Sequence, residues 1–557
     1  LYKIHTCMYI SLRGWCCPPQ GLFVADALAL PLDHAAWQPR HNPWLIAVTV
    51  TLATFMEVLD TSIANVALPH IAGSLGASFD ESTWVLTSYL VSNAIVLPIS
   101  AWLATRFGRK RFYMSCVAVF ATSSFLCGLA PSLGMLIIFR ILQGAGGGGL
   151  QPSEQAILAD TFAPSKRGMA FAIYGMAVVV APAIGPTLGG WITDNFSWRW
   201  IFYVNVPISV LSLYLTHRLI EDPPYLKDER IRKKSIRVDY IGLALIALGV
   251  GALQMVLDKG QESDWFASHW ITIGFVVAVC LLTAWVAWEW RHPNPIVELT
   301  LLKNRNFATA MFFMFILGIV LYGTTVLIPQ YLQLLMGYPA VLAGEALAGG
   351  GFIMMLTMPV SGTLASRMDP RALMAFGFGV TSLALYYMST HLTLGMDFRT
   401  IAWLRVFQTF GLAFIFVPSN ILSYVGVPRE KNNQISSMIN FIRNIGGSIG
   451  IALISTAITR GTQARQSYMV AKMNDGNPQF RQMLNGLAAT LRTAGLSSTE
   501  ATRQAYGRIQ ALLEQQAASL AYTDVISILA VAIAALVPLA FIMKKPPSGD
   551  GPAPAMH

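Results

Sequence analysis

Fourteen long apolar runs, separated by short and mostly basic connections, dominate this chain of 557 residues and leave it little choice of fold. A backbone in hydrocarbon must satisfy its own hydrogen bonds, so runs of about 20 apolar residues cross a bilayer as helices. The runs predict spans over 44–69, 83–104, 112–130, 134–159, 168–190, 200–217, 240–257, 270–290, 309–329, 343–365, 372–390, 401–425, 435–459 and 521–543. Only 12% of residues are charged, roughly half the share of a soluble chain, which excludes a string of soluble domains. The net charge of +10 does not mark a nucleic-acid binder, because most Lys and Arg flank the runs. Cys7, Cys16, Cys17, Cys116, Cys127 and Cys280 show no metal-ligand spacing beside a His, so neither a metal site nor a disulfide framework is expected. Residues 1–43 read as a leader without the basic–apolar–small pattern of a signal peptide.

Charge asymmetry sets the expected orientation. With the N-terminus inside, the cytoplasmic connections hold Arg106, Arg109, Lys110 and Arg111, then Lys166 and Arg167, the run Lys227 to Arg237, and Arg291, Lys303 and Arg305. Arg367, Arg371, Arg429, Lys431, Lys544 and Lys545 follow on the same side, whereas the short outer loops hold only Arg199, Lys259 and Arg399. Short-loop Lys/Arg bias places the basic side in the cytoplasm. One long outer connection, Arg460 to Ala521, is rich in Ala, Gln, Leu and Glu, and Ser497 with Glu500 forms a capping-box pattern. A helical extramembrane element is expected there.

The chain repeats itself. Pro98 to Arg106 (PISAWLATR) matches Pro359 to Arg367 (PVSGTLASR) at five of nine positions. Arg140 and Gln143 match Arg405 and Gln408, each pair ahead of a Pro-Ser step; the first match lies at an offset of 261 residues and the second at 265. The offset moves span 2 onto span 10 and span 4 onto span 12. That is an even step, so the two halves run in the same direction. The expected architecture is all-α: six spans, two inserted spans and six more, in two pseudo-symmetric halves around a central cavity, as in carriers that rock.

Ionisable groups inside the spans are the candidate machinery, since charge at mid-membrane persists only where it faces a cavity or a partner. Glu57 and Asp60 lie about 60° apart on the helix of span 1, on the side of Thr61 and Ala64. They are proton-carrier candidates, with a structural ion pair or hydrogen-bonded carboxylate as the competing reading. Arg140 remains charged and needs an acceptor, either Asp60 or Glu57. Arg405 either lines the cavity or is structural. Asn440, Arg443, Asn444 and Gly447 form a stripe on span 13 that either lines the cavity or lets Arg443 snorkel. With Asn65, Gln143 and Gln408, these polar groups are the candidate cavity lining. Pro182, Gly185, Pro186, Gly189 and Gly190 give span 5 a bend and a close-packing face, suited to a pivot or an occluding contact between halves. Gly146–Gly149 lacks the Lys-Ser/Thr of a phosphate loop, so no nucleotide site follows. The nine His lie in the leader, in loops, at span ends or at the C-terminus, and no hydrolase or metal constellation is evident.

These residues also carry a family resemblance. Leu59 to Pro69 (LDTSIANVALP) resembles the first-span signature of the fourteen-span drug:proton antiporters of the major facilitator superfamily. Leu103 to Lys110, with Arg106, Gly108 and Arg109, is similar to the superfamily's loop 2–3 motif. Arg140 to Gly144 is similar to its span-4 motif, and Gly185 to Gly190 to the antiporter motif of span 5. Ala53–Asp60, Leu253–Gly260 and Asn294–Leu299 are similar to segments of the EmrB type, the inner-membrane subunits of tripartite multidrug exporters. The resemblance covers residues 44 to 545. Three positions depart from it: Thr105 stands where an acid is usual, Ala181 replaces a glycine, and Glu57 stands where a glutamine is expected.

What the resemblance implies is a major facilitator fold and export of hydrophobic drugs by alternating access, driven by proton influx with no cofactor. Glu57, Asp60 and Arg140 would couple the proton. The implied partners are a periplasmic adaptor of the EmrA type and a TolC-like outer-membrane channel, with the protein in the bacterial inner membrane and both termini cytoplasmic. The expected division is a leader over 1–43, a first bundle over 44–219, a basic loop and inserted helices over 220–308, a second bundle over 309–545 with a periplasmic helical loop at 461–520, and a tail over 546–557. Export of an endogenous metabolite, such as a siderophore or fatty acid, is the first alternative. A membrane sensor or scaffold without transport is the second.

Overall fold

The computed structural model describes residues 37–226, 239–474 and 476–543. Most of the leader, the basic run Lys227 to Arg237, and the tail from Lys544 lie outside the described residues.

Among the described residues fourteen helices are long and apolar enough to cross a membrane. They are Pro43–Leu75, Asp80–Phe107, Arg109–Leu129, Leu133–Thr161, Pro164–Asn195, Trp200–Leu219, Tyr240–Lys259, His269–Arg291, Arg305–Leu335, Leu342–Arg367, Pro370–His391, Phe398–Ser423, Arg429–Val470 and Ser498–Ile542, hereafter spans 1–14. Their starts follow local chemistry. Asn42 caps span 1 by accepting from the Trp44 amide (2.9 Å), with Pro43 supplying a pre-set first turn. Asn304 caps span 9 by accepting from Asn306 and Phe307.

The repeat read from the sequence is visible in the packing. Span 2 lies on span 4 and span 3 on spans 4 and 6; equivalently, span 10 lies on span 12 and span 11 on spans 12 and 14. Span 1 packs on span 5 as span 9 packs on span 13. The halves meet where span 5 crosses span 10 and span 13 crosses span 2. Shifting each partner by eight turns one crossing into the other, as two pseudo-symmetric halves require. Spans 7 and 8 pair with each other, and span 7 leans on span 2.

The face at which span 1 begins is called the near face, and the opposite one the far face. On the near side spans 5 and 10 touch backbone to backbone at Gly168 and Gly362, where a Cβ on Gly362 would meet the Gly168 carbonyl oxygen at 2.6 Å. Toward the far side spans 5 and 10 stay in contact, Gly351 against Ala183, and a cavity lies beside them between the halves.

Spans 13 and 14 run well past their apolar segments, ending at Val470 and starting at Ser498 rather than at 459 and 521. Hydropathy marks only the part of a helix that meets lipid; the polar continuations are good helix formers and carry the helix onward. The helix Asn432–Val470 has 39 residues, about 58 Å at 1.5 Å per residue, against a hydrocarbon core of about 30 Å. Between the two lies a separate helix, Pro478–Thr493. Its Phe480, Leu484, Ala488 and Leu491 pack on Ala501, Ala505 and Ile509 of span 14, a small core of their own. Ser497 Oγ accepts from the Glu500 amide at 3.3 Å, so the cap read from the sequence forms.

Candidate functional site

A cavity of about 420 Å³ lies between the halves on the far side, lined by Asn65 and Pro69 of span 1, Pro182 and Pro186 of span 5, and Gln330 and Gln333 of span 9. A smaller pocket of about 60 Å³ shares Pro182, Thr325 and Leu347 with it and is bounded by Tyr322, Arg405 and Thr409. Beneath and beside this cavity three polar layers descend toward the near face.

The first layer sits wholly within the first bundle. Asp60 Oδ2 accepts from Arg140 Nη1 at 2.6 Å, and both side chains are sealed from solvent. Asp60 Oδ1 accepts from Asn205 (2.6 Å) and Gln143 (3.0 Å), and both amides also donate to Ser124 Oγ. Arg140 donates further to the Val85 carbonyl (3.0 Å) and to Gln143 Oε1 (2.8 Å), with its guanidinium 4.3 Å from the Tyr89 ring centre. Breaking a buried pair by removing one charge costs about 3–5 kcal/mol. The pair and its shell join spans 1, 2, 3, 4 and 6.

The second layer bridges the halves. Glu57, 4% exposed, accepts from Asn93 Nδ2 of span 2 at 3.0 Å through Oε1. Arg443 of span 13 donates to Gln151 (2.5 Å) and Tyr174 (3.0 Å) of the first bundle and to Asn440 (2.7 Å) of its own helix. Asn440 donates to Gln155 (2.8 Å), which donates to Asn420 of span 12 (3.0 Å).

The third layer closes the near face. Arg109 donates to Asp160 Oδ2 at 2.5 Å, to Asn433 at 2.7 Å and to Tyr225 at 3.2 Å. Asn432 donates to the other Asp160 oxygen at 2.6 Å, and Ser437 to the Leu97 carbonyl at 2.7 Å. Spans 2, 3, 4 and 13 are thereby tied together. Burial pushes the Tyr225 phenol well above its ordinary range, so it remains a neutral donor to Asp160.

Several sequence expectations need correction. Arg140 pairs with Asp60 and not with Glu57: the 60° between the two acids aims them at different neighbours. Gln143 completes the Asp60 shell instead of lining the cavity. The Thr61 hydroxyl bonds its own helix at the Glu57 carbonyl (3.2 Å). Of the proposed lining residues, Asn65 and Arg405 border cavities. Gln408 is fully buried and accepts from Arg405 at 2.8 Å. Arg443 is 2% exposed and does not snorkel, whereas Asn444 is only half-buried and outside this network among the described residues. Gly185 and Gly189 face Ser62 and Ile63 of span 1, in the same bundle, so they are no contact between halves; Gly190 faces open space. Gly108 ends span 2 at φ +92°, and Arg106 is half-buried. Thr105 accepts from Asn433 at 3.5 Å, and the acid facing Arg109 in this loop is Asp160 of span 4.

Glu154, Asp160, Asn205, Gln151 and Tyr174 escaped the sequence reading. For Glu154 the signal was present, since it is an acid inside the predicted span 134–159, the same rule that singled out Glu57; Asp160 fell one residue beyond that span, which the helix extends to Thr161.

The geometry describes a two-bundle carrier closed on one side. Residues 50–451 match the family model for the Major Facilitator Superfamily, and the chain belongs to that superfamily: it is a multi-pass membrane transporter and not an enzyme. Within it the chain is 38% identical over 516 residues to the "Multidrug export protein EmrB" of Escherichia coli (strain K12), covering 92% of this chain and 98% of that one. It is 36% identical over 530 residues to the "Fatty acid resistance protein FarB" of Neisseria gonorrhoeae, covering 93% and 100%. Among solved structures, the proton:xylose symporter XylE superposes with a TM-score of 0.54 at 14% identity, over 89% of this chain and 96% of that one, and shares the fold.

Proposed function

We propose that the protein is a proton-coupled exporter of hydrophobic drugs, working by alternating access in a bacterial inner membrane with its near face toward the cytoplasm. The observation that carries this reading is the Asp60–Arg140 pair, sealed inside the bundle that borders the far-side cavity. A passive scaffold has no use for such a pair. The EmrB relative supports drugs as the cargo, and the concentration of Lys and Arg at near-face span ends supports the orientation. Assembly with a periplasmic adaptor and an outer-membrane channel is part of the same proposal, and the helical projection at the far face offers a surface for it.

The driving force is sufficient. A hundredfold outward gradient of a neutral drug requires about 2.7 kcal/mol. One proton moving inward supplies about 2.3 kcal/mol per 100 mV and about 1.4 kcal/mol per pH unit.

A second reading, export of amphipathic acids, draws on Arg405. Its partners among the described residues are the neutral oxygens of Thr324, Thr325 and Gln408, and it borders a mostly apolar pocket where a carboxylate would find it. The FarB relative points the same way.

Drug-driven proton movement in proteoliposomes tests the main reading, with Asp60→Asn and Glu57→Gln measured separately. At least one variant is expected to lose coupling about a hundredfold while still binding drug. Full transport by both would remove these acids from the mechanism.

A further inference from the structure

Glu154 takes no part in the three layers above, yet it is a carboxylate on span 4 with no exposed surface. Its Oε1 accepts from Thr51 of span 1 at 2.6 Å. Its Oε2 has no hydrogen-bond partner among the described residues, and the same is true of Glu57 Oε2. Arg443 Nε and Nη1 are likewise without partners. Unmet acceptors and donors at this depth cost about 1–3 kcal/mol each, so they persist where the chemistry needs them free.

Position gives these groups an order. Span 4 runs from the far to the near face, and Glu154 lies seven residues before its near end at Thr161. Thr51 lies six residues nearer the start of span 1 than Glu57. At 1.5 Å per residue, Glu154 therefore stands about 9 Å closer to the near face than Glu57. Asp160 lies beyond it, in the near-face closure. The carboxylates Asp60, Glu57, Glu154 and Asp160 thus descend in sequence through the first bundle.

Resting on the reading above, we propose that Glu154 is the release station of the coupling proton, receiving it from the Glu57 region and passing it to the near face when the closure opens. In this step the proton leaves the Glu57 carboxyl group, which becomes a carboxylate held by Asn93. It is carried by water admitted from the near side to Glu154 Oε2, which becomes a neutral acid and then yields the proton to bulk water. No electrons move, and water is the only co-reactant. The ionisable groups facing the two acids are Arg443 of span 13, Tyr89 of span 2, Tyr113 and Cys116 of span 3, and Tyr174 of span 5. Arg443 is the one cation among them. Its interaction reaches Glu57, so departure of the proton from Glu57 would strengthen the bridge between halves.

The test separates exchange from net efflux in proteoliposomes. Drug-for-drug exchange needs no proton release, whereas proton-driven efflux does. Glu154→Gln is expected to keep exchange within about twofold of the parent and to slow efflux at least about tenfold, with Glu154→Asp restoring part of the rate. Efflux at the parent rate in Glu154→Gln overturns the proposal. So does parallel loss of exchange and efflux with no rescue by Glu154→Asp, which would make Glu154 a packing group. A parent that moves drug without protons would instead defeat the reading on which this one rests.

Discussion

Arg140 illustrates how a single residue organises a bundle. One guanidinium meets an acid on span 1, an amide on its own helix, and a carbonyl and an aromatic face on span 2, so three separate parts of the sequence converge on it. The sequence could say that Arg140 needed an acceptor, because a buried cation must have one; choosing between Asp60 and Glu57 required the neighbours of both. Asn205 was invisible for a related reason, since a neutral amide in an apolar run looks like tolerated polarity until its partner is known. The near-face closure allows a prediction at this scale. Tyr225→Phe removes the phenol between Arg109 and Asp160 and should loosen the closure by about 1 kcal/mol. Because the folded-state value of Tyr225 is raised, its contribution is complete below the ordinary value of 10 and fades only as pH rises through the raised value. The effect should therefore be constant between about pH 6 and 9. Distances between spin labels at Ser165 and Ser366, both exposed, would report it; an effect that varied across that window would assign the titration elsewhere.

At the scale of elements, spans 5 and 10 hold the near face together at Gly168 and Gly362. Their glycine crossing leaves no room for a side chain, since a Cβ on Gly362 would collide with Gly168 backbone atoms at 2.6 and 2.8 Å, and backbone cannot turn aside as a side chain can. Gly362→Ala should cost the closed near face about 1–3 kcal/mol and lengthen the distance between labels at Ser165 and Ser366. An unchanged distance distribution would mean that the crossing tolerates separation. The repeat PISAWLATR/PVSGTLASR contained this glycine and could place span 10 opposite span 2. It could not show that span 10 packs on span 5, because which helices cross between halves is set by the twofold arrangement and not by either helix alone. The glycines that did attract notice on span 5, Gly185 and Gly189, turn toward span 1, since a close-packing face does not disclose which neighbour fills it.

For the whole molecule, the membrane body and its fourteen spans were legible because lipid imposes one rule on every residue it touches. The far-face projection was legible only as helix-forming composition, and its own small core adds what composition lacked. Leu484→Asp would bury a charge against Ala501 and Ile509 and should destabilise the projection by about 3 kcal/mol or more. Protease cutting between 471 and 497 is expected to accelerate at least about tenfold, with drug-driven proton movement in proteoliposomes preserved. Loss of that movement would show that the projection serves the transport cycle itself.

Span 14 runs as one helix from Ser498 to Ala534, so the projection and the second bundle share a stiff shaft. A tilt of a few degrees deep in the bilayer becomes a sweep of several ångströms at the tip, and a molecule gripping that tip would feel every stroke. The same lever works in reverse. A clamp on the far end would brake any rocking of the second bundle without touching the cavity or its buried ion pair, which makes the tip a handle by which the engine could be stalled.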